Sequence, residues 1–166
     1  MPSELLHGLA PIIGNGAKSL ILGNMPSVLS LGAQQYYANP RNAFWTITGE
    51  IFGFDASAPY EERVSALVTQ RIAVWDVLQS CRRVGSLDSA VEPDSMVAND
   101  FGQLFEWHPH ITGVFFNGAA AEKNFSRLVR VAPDIQYRRL PSTSPAQTMR
   151  YADKLAAWRE AITARQ

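Results

Sequence analysis

Four short strand-like runs, Lys18–Leu22, Ile72–Val77, Ile111–Phe116 and Ile135–Leu140, recur along the chain with helical patterns between them, the first three largely apolar. The helical stretches are Ala43–Ile51, Tyr60–Arg71 behind Pro59, Asp100–Trp107, Ala119–Val131 and Gln147–Ala164. The last carries Tyr151, Leu155 and Trp158 at helical spacing. Strands that alternate with helices pair in parallel. Strands that are apolar throughout, rather than at every second residue, are buried on both faces. The expectation is therefore a mainly parallel four-stranded sheet covered by helices on both sides. Residues 80–99, rich in Ser, Asp and Gly, read as a loop. No repeat, linker or low-complexity tract divides the chain, so residues 1–166 are expected to form one domain.

A chain of 166 residues with 46% apolar content can bury a real core. Its 15 basic and 15 acidic residues cancel, so any contact with nucleic acid must be local. One cysteine, Cys81, excludes a disulfide framework, a Cys-rich zinc site and a four-cysteine iron–sulfur cluster. No apolar run approaches the roughly 20 residues of a membrane span, and no signal peptide is evident. A soluble, cytoplasmic monomer without a metal or cofactor is expected.

Open parallel sheets present their chemistry beyond the carboxyl ends of the strands. Four segments should gather there: residues 23–45, 76–83, 117–119 and 140–146. The first is the most informative, LILGNMPSVLSLGAQQYYANPRNAFW from Leu20 to Trp45. Beyond Gly23 it offers Tyr36, Tyr37, Phe44 and the amides of Asn39 and Asn42, but no Cys, His, Asp or Glu. That inventory suits gripping a planar ring better than binding a metal or forming an acyl-enzyme.

GNMPS, YYANPRNAFW, WDVLQSCRRVGSLDSA, FFNGAAAEKNF and LPSTSPA occur in this order and spacing. They resemble the uracil-DNA glycosylase superfamily, and within it the hypoxanthine-DNA (deoxyinosine) glycosylases. The resemblance runs from about His7 to Trp158. It implies a three-layer α/β/α sandwich around a four-stranded parallel sheet. It also implies extrusion of a base from the duplex and hydrolysis of its N-glycosidic bond without metal or cofactor. Two departures stand out. Other branches carry a catalytic Asp or Asn where this chain has Met25, and a His or Asn where it has Leu140. The resemblance places the water-positioning role on the tyrosine–proline segment, on Asn39 first and Asn42 second. Breaking a glycosidic bond builds positive charge on the sugar, which a carboxamide carbonyl holding a water can face. None of the three lysines, Lys18, Lys123 and Lys154, lies on a cleft loop, so a Schiff-base nucleophile is not expected.

Each candidate also has a plain structural reading. Asn39 and Asn42 flank Pro40-Arg41 and suit a turn. The base pocket would draw on Gly23, Met25, Tyr36, Tyr37, Phe44, Asp76 and Asn117. Of these, Phe44 suits a core position equally well. Asp76 could accept the N1–H of hypoxanthine or cap a turn. Ser142, Thr143 and Ser144 could donate to phosphates or close an ST turn. Arg82 and Arg139, with Arg83 and Arg138 beside them, are candidate phosphate contacts or a solvated face. Two functions stand: a glycosylase acting on DNA with deaminated bases, hypoxanthine first, then uracil or xanthine; or a binding module that has lost catalysis.

Overall fold

The computed structural model describes residues 3–130 and 134–165. Its strands are β1 Leu5–His7, β2 Ser19–Gly23, β3 Ile72–Asp76, β4 Leu78–Arg82, β5 Val97–Ala98, β6 Gly113–Asn117 and β7 Gln136–Leu140. Its helices are α1 Val28–Ala33, α2 Phe44–Phe52, α3 Tyr60–Thr69, α4 Phe101–Trp107, α5 Ala119–Leu128 and α6 Tyr151–Thr163. The main sheet has four parallel strands in the order β3-β2-β6-β7. β2 and β6 are buried at every residue, which accounts for their unbroken apolar runs.

Side chains along β2 alternate between two cores. Ile21, with Val74 and Phe115, packs on Phe44, Ile47, Leu67 and Trp158 of α2, α3 and α6. Leu20 and Leu22, with Val114 and Phe116, pack on Phe101, Leu104, Ala121 and Phe125 of α4 and α5. These two cores make the three layers expected from the sequence.

The segment expected to be a loop is partly structured. β4 follows β3 after a single residue and joins a separate antiparallel sheet of three strands, β1-β4-β5. The long first loop also contains a short helix, α1, whose N-cap Ser27 accepts from Ser30 N. The last helix begins at Tyr151 rather than Gln147, because Gln147 and Met149 close a turn instead. α5 ends at Leu128, and Val131, assigned to it from the sequence, lies outside the described residues.

Parallel pairing sets the register at the carboxyl edge. Gly23 is opposite Asp76, and Asn117 is opposite Leu140. The loops leaving these residues surround one cavity.

Candidate active site

The cavity holds about 500 Å³, within the range of small-molecule sites and roomy enough for a purine. Its walls come from residues 23–27 and 30, residues 36, 37, 39 and 42, Asp76, the segment 86–89, residues 117, 119 and 120 and the segment 142–147. Among the described residues no lysine or arginine lines it.

The YYANPRNAFW segment is held from several sides. Tyr36 donates its hydroxyl to Ala10 O at 2.9 Å, and its carbonyl accepts Trp45 Nε1 at 2.9 Å. Buried Ser30 of α1 accepts Ala38 N through Oγ at 3.0 Å. Tyr37 sits in the left-handed region at φ 54°, which costs a non-glycine residue roughly 1 kcal/mol. That conformation lays its ring on Phe44, with centroids 4.1 Å apart and planes at 17°. Phe44 is fully buried and does not reach the cavity wall. The sequence assignment of Phe44 to the pocket is thereby corrected: Phe44 is core, and Tyr37 covers it and forms the wall.

Asn39 and Asn42 both line the cavity, and each carbonyl accepts one backbone N–H two residues on. Asn42 Oδ1 accepts Phe44 N at 2.9 Å and so ties its side chain to the start of α2. Asn39 Oδ1 accepts Arg41 N at 3.0 Å within the loop, and in both side chains a second lone pair stays open.

At the floor, Gly23, Asp76 and Tyr37 meet. A Cβ on Gly23 would come within 2.4 Å of Asp76 Oδ1 and 2.9 Å of the Tyr37 hydroxyl, so this closeness requires glycine. Asp76 is 4% exposed, and its Oδ2 has no hydrogen-bond partner. Burial, reinforced by the nearby Asp88 charge, lifts its pKa to about 7 against the pull of Arg83. Burial likewise pushes the Tyr37 hydroxyl well above its ordinary range.

Asn117 lines the cavity, and both of its amide hydrogens are engaged. Nδ2 donates to the Tyr37 hydroxyl at 3.1 Å and to Thr143 Oγ1 at 3.0 Å, and Oδ1 accepts Thr143 N at 2.9 Å. These bonds tie Tyr37 to the PSTSP loop. Thr143 is buried in the same network, which removes it from the phosphate donors. Ser142 and Ser144 stay on the wall, each accepting a loop N–H through Oγ. Met25 is a buried apolar part of the wall.

The arginine assignments change. Neighbouring residues on a strand point to opposite faces. Arg82 of β4 turns away from the cavity and donates to Ser3 O, while Arg83 is buried behind it. Arg139 lies on β7 in an exposed ion pair with Glu122.

Several contributors carried no local signal. Lys154 of α6, 5% exposed, donates to Ser144 O and Gln147 O and pins the PSTSP loop. Trp158 donates to Pro141 O at 2.8 Å and pins its start. Asn24, Asn124 and Asp88 form a chain of hydrogen bonds beside the cavity.

No family model matches the chain. It is 32% identical over 157 residues to a hypoxanthine DNA glycosylase of Methanosarcina barkeri, covering 94% of this chain and 97% of that protein. It is 33% identical over 153 residues to a hypoxanthine DNA glycosylase of Methanosarcina acetivorans, covering 92% and 94%. A solution NMR structure from M. acetivorans, described as a candidate uracil DNA glycosylase, superposes with a TM-score of 0.78 at 31% identity. That match covers 95% of this chain and 98% of the other. With relatives this similar over nearly their whole length, and with the fold and cavity in agreement, the chain belongs to the hypoxanthine DNA glycosylase branch of the uracil-DNA glycosylase superfamily.

Proposed function

We propose that this chain hydrolyses the N-glycosidic bond of hypoxanthine in DNA, with uracil and xanthine as further candidate bases. It acts in base-excision repair as a monofunctional glycosylase and leaves an abasic site. The observation that carries this reading is the cavity floor, where an aromatic face, Tyr37, stands beside Asp76, a buried carboxyl whose Oδ2 has no hydrogen-bond partner among the described residues. A base must leave the stack to reach such a site. The extruded purine stacks on the cavity face of Tyr37, and Asp76 accepts its N1–H. Asn39 holds the attacking water through its open lone pair. The first residues of α5, Ala119 and Ala120, bring the positive end of that helix to the cavity, toward the negative charge that develops on the departing base.

No helix among the described residues is long and apolar enough to cross a membrane. The protein is read as a cytoplasmic monomer whose partner is DNA carrying deaminated bases. The test is incubation with duplexes containing one inosine, uracil or xanthine. Strands that break only after alkali, and no covalent adduct on borohydride treatment, are the expected result. Absence of release from all three duplexes overturns the reading.

A further inference from the structure

We propose that Asp88 is a catalytic residue whose carboxylate faces the sugar of the extruded nucleotide and stabilises the cation formed as the base departs. This rests on the glycosylase reading above. Residues 23–45 contain no acidic side chain, so a negative counter-charge for the sugar has to come from another segment. Among the described residues two carboxyls line the cavity, Asp76 and Asp88. Asp76 is buried at the end of β3, and Asp88 is an exposed residue of the segment after β4. With the base seated beside Asp76, the sugar comes to the Asp88 side.

Asp88 is also held in place, as a merely solvated acid would not be. Asn124 of α5 donates to Asn24 Oδ1 at 2.8 Å, and Asn24 donates onward to Asp88 Oδ1 at 3.2 Å. Both asparagines are buried. The segment after β4 is itself clamped to the first loop. Arg83 donates to Pro26 O at 2.7 Å, and Val28 N donates to Ser86 Oγ at 2.9 Å. Asp88's other oxygen accepts no hydrogen bond among the described residues. A fixed carboxylate in the wall of a DNA site opposes phosphate binding, so affinity does not explain it. A preorganised charge aimed at a developing cation does.

In the step, the C1′–N9 bond breaks and its electron pair leaves with the base. The water held by Asn39 forms the new C1′–O bond, and its proton passes to the Asp88 carboxylate and on to solvent.

The test uses Asp88→Asn, which keeps an oxygen to accept from Asn24 and removes only the charge. Single-turnover release from an inosine duplex should fall by roughly 100-fold, the scale of losing one preorganised electrostatic group. The thermal midpoint should not move, and duplex affinity should hold or tighten. A second measurement is independent of turnover. Wild-type protein should bind a duplex carrying a cationic pyrrolidine abasic analogue more tightly than one carrying neutral tetrahydrofuran, and Asp88→Asn should lose that preference. Wild-type release with an undiminished Asp88→Asn rate overturns the role of Asp88 alone. No release by wild-type protein overturns the glycosylase reading with it. An analogue preference unchanged by the substitution also overturns the proposal.

Discussion

Tyr37 lies flat on Phe44, with ring centroids 4.1 Å apart and planes at 17°, so the aromatic closer to the strand supports the one that meets the cavity. The two rings should therefore fail differently. Tyr37→Ala should weaken binding to inosine-containing duplex by about 1–3 kcal/mol, the usual worth of a base–aromatic stack, and barely change binding to undamaged duplex. Phe44→Ala should instead lower stability by roughly 3–5 kcal/mol, because it empties a fully buried site shared with Trp45 and Trp158. Denaturant midpoints and paired binding titrations separate the outcomes. A selective loss of inosine binding in a stable Phe44 variant would reverse the assignment.

Asn39 and Asn42 pose the same kind of question with amides. Asn42 accepts the first free N–H of α2, so Asn42→Ala should cost about 1 kcal/mol of stability with a small change in rate. Asn39→Ala should cut base release by roughly 100-fold while the melting temperature holds. Single-turnover rates and thermal scans on both variants check this. If Asn42→Ala abolishes release and Asn39→Ala does not, the roles are exchanged.

Asp76 gives a pH signature of unusual sign for an acid. Its folded pKa, about 7, lies above the ordinary 3.8, so the folded state holds the proton more tightly than the unfolded chain. Stability from this group is complete below about pH 4 and is lost as pH rises toward and through 7. The full difference corresponds to roughly 4 kcal/mol as an order of magnitude. Asp76→Asn should flatten that slope, and its gain in melting temperature over wild type should grow between pH 5 and pH 8. An equal shift at both pH values would mean that the carboxyl is already ionised throughout.

How much of this was legible in the sequence depends on how local each signal is. The four parallel strands were readable to within one or two residues: burial on both faces writes a mostly apolar run in β2, β3 and β6, whereas the edge strand β7, exposed at four of its five residues, was marked by the PSTSP loop that ends it. The antiparallel sheet was not. β1 and β5 span only Leu5–His7 and Val97–Ala98, and their stability comes from pairs such as Leu5 with Arg82, far apart in the chain. α1 was hidden by its brevity and by Gly32. Asn39, Tyr37 and Asp76 could be named as cavity residues because they stand on a loop or at the end of a strand, where an open sheet puts its chemistry. Phe44 and Tyr37 could not be ranked, since the order of two aromatics does not say which covers the other. Asp88 looked like any acid of a polar loop, and the chain that orients it joins Asn24 to Asn124 across 100 positions. Arg82 and Arg83 looked interchangeable until the strand turned them to opposite sides.

The absence of cationic side chains from the cavity wall among the described residues bears on how a neutral chain holds DNA. On the proposed reading, affinity rests on the stacked base, on hydroxyls of Ser142 and Ser144 at the wall, and on a few basic residues outside it, of which exposed Arg41 follows Asn39 by two positions. Each phosphate neutralised contributes about −0.9 to the slope of log K against log[salt]. With roughly two to four such contacts the slope should stay shallow, between about −2 and −4. Arg41→Ala should reduce its magnitude by about one, whereas Arg83→Lys, a change behind the wall, should leave it unaltered while loosening the clamp on Pro26. Binding isotherms between about 50 and about 200 mM salt measure this directly. A slope as steep as that of a highly basic DNA-binding protein would point to a positive surface outside the loops described.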